Sequence, residues 1–565
     1  MQRRFASRPL FVLVIAALVA ILFSLACGRD GRPTMGEPTA AEPVATNDRP
    51  RLLEGLPPAN HPITTTSDEA QRYFDQGLIL LYGFNHEAAI RSFEEALRLD
   101  PACAMCRWGV AFALGPNINR PMGPEAAARA WTESQLALGA AAGATERERA
   151  YIEALALRYS ESPPASRTGL DLAFADAMRR VYQADPSDVD AATIFAESLM
   201  DMYPWNYWTD DGEPRVHTTE LLEVLEHVLE QSPDHVGANH LYIHAVEEFF
   251  PDKGVPAADR LNGLAPDSGH LVHMPSHIYW RVGRYEEAAD INVRAAAADE
   301  RYFSWCGPDA FYRAAYYPHN VHFLWAAASA EGRRELAIST ARKLAAATRD
   351  GLDEAPFTQE FVAIPMLTLA RFGEWDAVLG EPIPDQGRVY LAGISSYTRG
   401  LAHTRLGDLD EAATSLAQLE THAARPESAE LILAGGTASA RSLLFIAIAH
   451  LEGELAAARG DAAAAVAALE RATAAHDGLA YMEPPPWYAS PRLALGAQLL
   501  DMGDSGRAAE VYRADLTQYP KNGWALFGLA TSLAAEGMEA EAEWASGGFT
   551  QAWGRADLTL TRSSL

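Results

Sequence analysis

Cysteine is scarce in this sequence, at four residues in 565, and one of the four stands at position 27. That scarcity excludes a fold stapled by a framework of disulfides. No segment of useful length alternates apolar and polar residues as a half-buried strand does, which argues against a sheet-built core. Positive charge is also in short supply. Lysine and arginine number 46 against 75 aspartates and glutamates, for a formal net charge of −29. So acidic a chain is expected to bind no nucleic acid and to avoid anionic membrane surfaces. Several enzyme signatures are missing as well: a phosphate-cradling glycine loop, a nucleophile-elbow serine and a His-Glu-x-x-His zinc-protease helix. Whether the chain is an enzyme is therefore left open by its motifs.

What is there begins at the amino terminus. Met-Gln-Arg-Arg-Phe-Ala-Ser-Arg precedes an apolar run from Leu10 to Ala26, the layout of a secretory signal. The run ends at Ser24-Leu25-Ala26-Cys27-Gly28. This resembles the lipobox of bacterial lipoproteins, which implies lipidation of Cys27 after cleavage. The sequence departs from that pattern in one place, with Ser24 where leucine is usual and Leu25 one position late. An uncleaved anchor helix of this length would be marginal for a hydrocarbon core about 30 Å thick. Either reading exports the body to the cell envelope, into the periplasm or outside the cell, and touches the membrane only through the amino-terminal anchor. Residues 1–27 are thus expected to be a signal, and 28–66, polar and rich in Pro, Ala, Thr and Glu, a flexible tether.

The remaining chain is too long for one compact core and reads as an array of helices. Gly77 is followed by Ala89, Phe93, Ala96 and Pro101, a spacing in which small residues let two helices cross closely and proline ends the second. The same register returns at Gly400, Ala412, Leu416 and Leu419. It returns again at Gly453, Ala465, Leu469 and Ala472, and at Gly496, Ala508, Tyr512 and Pro520. This pattern resembles the tetratricopeptide repeat, a helix-turn-helix unit of 34 residues. The resemblance implies an all-α solenoid. It covers residues 67–550, with irregular aromatic-rich insertions at 115–145, 203–218 and 302–317. We divide it into an amino-terminal array at 67–345 and a carboxy-terminal array at 346–550, followed by a tail at 551–565. First helices are expected at 189–201, 236–249, 270–282 and 318–330.

Seven of the sixteen histidines fall between positions 240 and 322. Numbered from the start of each first helix, His270 and His319 take position 2. His240, His273 and His322 take position 5, and His244 and His277 take position 9. Steps of three and four keep these positions on one helical face. In tetratricopeptide proteins that face lines the concave groove, so the resemblance implies a histidine-rich groove. Imidazoles repeated at such spacing suit zinc, copper, iron or nickel. All seven are therefore candidate metal ligands, with His240, His244, His273 and His277 foremost. Glu247, one turn beyond His244, and Glu197, at position 9 of the preceding repeat, are candidate ligands, orienting partners or general acid-base groups.

Three functions follow from this reading: a metal-binding envelope protein whose groove also takes a ligand or partner, a metal-dependent enzyme using the same His and Glu residues, or a metal-free protein-interaction scaffold. Packing is the bland account of the same histidines, and His86, His403, His422, His450 and His476 are read as structural outright. The aromatic insertions, Tyr203 to Trp208 and Tyr302 to Tyr317, either cap the groove or anchor long loops. Cys103 and Cys106, at the start of a helix, are expected to be a structural disulfide or two buried thiols, with a redox pair or an extra metal site as the alternatives.

Overall fold

The computed structural model describes residues 49–305 and 310–565. The expected signal, its Cys27 and residues 28–48 lie outside them. Apart from two-residue strands at Ile432–Leu433 and Ala438–Ser439 and two isolated bridges, the regular structure described is helical, an all-α solenoid of helix-turn-helix repeats. Among the described residues, no helix is long and apolar enough to cross a membrane.

The first hairpin shows why the signature residues matter. Ser67 caps the helix Asp68–Tyr82, and Asn85 caps its partner His86–Leu99, each accepting an N–H three residues on. Gly77 faces the fully buried Phe93 so closely that a Cβ would stand 2.6 Å from the ring. The same sixteen-residue relation brings Gly453 to Leu469 at 2.6 Å and Gly496 to Tyr512 at 2.4 Å. Small residue and bulky partner are one packing device, used repeatedly.

The chain forms two compact units: Met1–Pro275 with Arg294–Tyr317, and Ser276–Val293 with Pro318–Leu565. This division does not follow the expected boundary between residues 345 and 346. Repeats stack on their neighbours without linkers, so composition marks no seam. First helices lie at Val189–Met202, Val236–Val246 and Tyr316–Ala330. The expected helix at 270–282 is broken into Gly269–His273 and Pro275–Arg281, with proline opening the second piece.

In the first unit, two expectations need correction. Residues 49–66 are no free tether, because they lie along the repeats as a strap. Gly55 N–H donates to Asp267 (2.9 Å), Leu53 N–H to Gln76 (2.7 Å), and Thr64 to Glu148 through both its N–H and its hydroxyl (2.5 Å). His61 is 1% exposed. Polar residues with fixed partners order a segment that lacks apolar periodicity. The second correction concerns residues 115–145, which are not an irregular insertion. They carry the helix Pro124–Ala140, packed on Ala104–Ala113. It buries Ala127, Ala130, Ser134 and Ala137, residues too small to print a visible apolar stripe. Cys103 and Cys106 are joined by a disulfide, both buried at the start of Ala104–Ala113.

In the second unit, the helices from Gln359–Arg371 to Ala440–Ala458 surround a continuous core that includes Ile394, Tyr397, Leu419, Leu444 and Trp487. The tail at 551–565 is part of this unit's packing. Asp557 caps the helix Arg334–Thr348, accepting from Arg334 N–H (2.6 Å) and Glu335 N–H (3.0 Å). Trp553 lies against Gly332 and Gly523, and Ser563 is 3% exposed.

Candidate metal centre

Helix Val236–Val246 is buried at every position, so His240 and His244, four apart on one face, both point into protein. His270 sits in the next short helix, Gly269–His273. The turn that ends the first described helix, Asp68–Tyr82, is wedged against both. A Cβ on Gly237 would stand 2.7 Å from the Tyr82 ring, and one on Gly83 would meet Ser268 at 2.9 Å and Leu271 at 3.1 Å. Glycine at both places permits the close approach.

Three imidazoles from two helices converge here. His240, His244 and His270 each offer a ring nitrogen, all within 4.8 Å of one another, and they are 0%, 4% and 2% exposed. The Nδ1 of His240 lies 2.5 Å from the main-chain oxygen of Tyr82. A carbonyl oxygen only accepts, so Nδ1 carries the proton and Nε2 keeps its lone pair. Glu247, 2% exposed, holds an oxygen 3.6 Å from His244 Nδ1, which favours a proton on that nitrogen too. Behind His270, its main-chain N–H donates to the Tyr312 hydroxyl (3.0 Å), which donates in turn to Asp299 (2.9 Å).

An aromatic collar surrounds the cluster. The Phe84 ring lies 4.5 Å from His240, 6.1 Å from His244 and 5.7 Å from His270, centre to centre. Trp205 meets His244 edge-on at 5.0 Å, and Tyr316 meets His270 at 4.7 Å. Phe84 and Trp205 both adopt left-handed backbone conformations, with φ of 54° and 59°. For bulky residues this costs on the order of 1 kcal/mol or more, so two strained residues stand against the cluster. The insertion that carries Trp205 is also anchored, since Trp208 Nε1 donates to the Ala245 oxygen (2.8 Å).

The other candidates are distributed differently. His273 belongs to the first unit, fully buried, its ring 5.9 Å from that of His270. His277 and His319 belong to the second, where their Nε2 atoms are 3.4 Å apart. The Nδ1 of His277 lies 3.1 Å from Glu483, whose other oxygen accepts from the Tyr481 hydroxyl (2.7 Å). His322 lies in none of these groups. It stacks on Trp325 at 5.2 Å and meets Phe361 edge-on at 5.4 Å, and burial pushes its pKa down to about 3. Glu197 is placed beside Asp201 and Arg158 instead. Burial first, and then Asp201, pushes its carboxyl up, while Arg158 donates to Asp201 at 2.6 Å. Glu197 is therefore suited to hold a proton more than to accept one.

Four contributors carry no periodic signal in the sequence. Phe84 lies in a turn, and Glu483 in a proline-rich loop far from His277 in sequence. His61 and His235 belong to a second buried cluster on Asp190. Its carboxylate takes His61 Nδ1 at 2.8 Å, His235 Nε2 at 3.1 Å and the Tyr82 hydroxyl at 2.6 Å. Burial alone would raise Asp190, but the two histidines hold it well below the usual carboxylate range.

Residues 70–103 match the family model described as Tetratricopeptide repeat. The chain carries a tetratricopeptide repeat. No curated protein matches the sequence. Among solved structures, the human IFIT1 dimer with m7Gppp-AAAA is 12% identical over 86% of this chain and 90% of that one, with a TM-score of 0.31. The Cut9 chain of the APC/C Cut9–Hcn1 hetero-tetramer gives 12%, 86% and 88%, with a TM-score of 0.26. Scores this low assign neither function nor partner.

Proposed function

We propose that this chain is a tetratricopeptide-repeat protein of the cell envelope that binds a divalent transition ion through His240, His244 and His270. The convergence of three buried imidazoles, with His240 already in the ligand tautomer, is the observation that carries the reading. An ion bound about 2.0–2.1 Å from each nitrogen separates tetrahedral ligands by about 3.4 Å. Small ring rotations bring nitrogens within 4.8 Å to that spacing. Zinc, copper, iron and nickel all accept such donors. Glu247 stands on the Nδ1 side of His244, where a carboxylate orients a ligating imidazole. That placement favours capture of the ion over Glu247 acting as a base.

Export, lipid attachment at Cys27 and the envelope location rest on the amino-terminal sequence alone. The repeat scaffold is of a kind used to hold protein or RNA partners on extended surfaces. A net charge of −29 does not exclude a nucleic-acid partner, because whole-chain charge does not set the field of one face.

The test uses the full chain, stripped with a chelator and titrated with Zn2+, Cu2+, Fe2+ and Ni2+. One equivalent of at least one ion should be retained through gel filtration. His240→Ala and His270→Ala should each abolish retention while helical circular dichroism is unchanged. If none of the four ions is retained, the proposal fails. If both variants unfold and His244→Ala still retains metal, the imidazoles are packing residues.

A further inference from the structure

The second unit carries its own pair of convergent imidazoles. His277 lies on the short helix Pro275–Arg281, and His319 in the first turn of Tyr316–Ala330. Their Nε2 atoms stand 3.4 Å apart. That separation is long for a hydrogen bond, which is strongest below about 3.2 Å. It matches the edge between two donors of a tetrahedral ion, about 3.4 Å when each bond is about 2.0–2.1 Å. Two imidazole lone pairs repel at such a distance, so something positive stands between them. It is either a proton carried by one ring or an ion shared by both.

The surroundings of His277 favour the ion. Glu483, buried, brings one oxygen to 3.1 Å from its Nδ1, which favours the ring proton there and leaves the lone pair on Nε2. The other Glu483 oxygen accepts from the Tyr481 hydroxyl at 2.7 Å and stands 3.7 Å from Arg281 Nε. The carboxylate is therefore held in place itself. A fixed carboxylate behind a ligating imidazole sets the ring's tautomer and orientation and raises its basicity. The two rings are unequally covered. His277 is buried, whereas His319 is half-buried, so the pair is approached from the His319 side. Phe323, one turn beyond His319 and fully buried, packs on both rings, 4.7 Å from His277 and 5.2 Å from His319. It limits how far the imidazoles can turn apart.

We propose that His277 and His319 form a second metal site, taking a divalent transition ion, with Glu483 orienting His277 and the remaining positions open to water or other donors. No residue is shared with the histidine cluster of the first unit, so neither reading depends on the other. Of the first-row divalent ions, Cu2+ binds imidazoles most tightly, and Zn2+ is the redox-silent probe. A pair of donors releases its ion sooner than three do, so this site is read at equilibrium and not after gel filtration.

The test is equilibrium dialysis of the full chain, stripped with a chelator, against Zn2+. His277→Ala and His319→Ala should each bind one equivalent fewer than wild type at saturation. Glu483→Gln should weaken that equivalent by about 10–100-fold. His240→Ala should lose the other equivalent, which tells the two sites apart. If wild type binds a single equivalent that His319→Ala loses and His240→Ala keeps, this site stands and the three-histidine reading fails. Zn2+ should also slow the modification of His319 by diethyl pyrocarbonate, followed by peptide mass in wild-type chain. That measurement needs no variant and so stands even if the alanine variants fail to fold. The proposal is overturned if wild type takes up no Zn2+, or if Zn2+ leaves the modification of His319 unchanged. It is equally overturned if either alanine variant, folded, binds as many equivalents as wild type, since a proton then bridges the two rings.

Discussion

Glu360 joins burial to a titratable head group. Burial pushes its carboxyl up from an ordinary 4.5 to about 7, although the Ala434 N–H bonds to it and works the other way. A carboxyl raised in the folded state holds its proton more tightly there than in the unfolded chain. Stability from this group is therefore greatest below about pH 4.5, falls as pH climbs toward about 7, and is flat beyond. The total is on the order of 3 kcal/mol. Glu360→Gln keeps an acceptor for Ala434 and removes the titration. Denaturant midpoints of variant and wild type should nearly coincide at about pH 4.5 and separate by about pH 8, with the variant the more stable. Parallel curves across that range would show that Glu360 titrates normally. At this scale the helical spacing of the histidines was legible, since steps of three and four need no tertiary knowledge. Phe84, His61 and Glu483 were not, because residues in turns, straps and loops reach their partners through packing that leaves no period in the chain.

At the level of elements, repeat hairpins were readable wherever a glycine met a bulky partner sixteen residues later. Phe93 fills the space against both Gly77 and Gly109. Phe93→Ala should cost about 3–5 kcal/mol, measured by urea denaturation of the full chain followed in the far ultraviolet. The helix Pro124–Ala140 escaped the same reading because its buried face is almost all alanine. The short helix Gly269–His273 is placed by contact more than by propensity. A Cβ on Gly269 would stand 1.8 Å from an Asp299 oxygen, in the relay that runs through Tyr312 to the His270 N–H. Gly269→Ala should thus shift His270 and weaken Zn2+ retention at least tenfold while leaving helical content near wild type. Unchanged retention would show that the relay does not position the imidazole. His61 is the one residue of 49–66 that is buried, so His61→Ala should raise hydrogen exchange across the strap by an order of magnitude or more. If exchange there is unaltered, the backbone bonds to Asp267 and Gln76 suffice.

For the whole molecule, the sequence showed an array of helices but not where it divides. Neighbour-on-neighbour stacking gives every junction a similar composition, and the residues that belong with each unit are discontinuous in the chain. The tail was equally hidden. Its Asp557 and Trp553 look like ordinary polar and aromatic residues until they are seen against the helix start at Arg334 and against Gly332. Deleting 551–565 should raise hydrogen exchange in Arg334–Thr348 and Gly523–Ala535 and leave Val236–Val246 protected. Loss of protection in the last helix as well would mean that the tail stabilises more than its own unit.

The strap also imposes a chronology on folding. Each repeat hairpin closes between neighbouring helices and can form soon after both have emerged. The bond from His61 to Asp190 spans 129 residues and that from Gly55 to Asp267 spans 212. The segment can meet Gln76 early, 23 residues on, but these two bonds must wait until most of the first unit has been synthesised. Because Asp190 also receives the Tyr82 hydroxyl, and the Tyr82 oxygen receives His240, the strap latches onto the same turn that sets the imidazole. Protection of residues 49–66 against a protease added during synthesis would then date the moment at which the histidine cluster is complete.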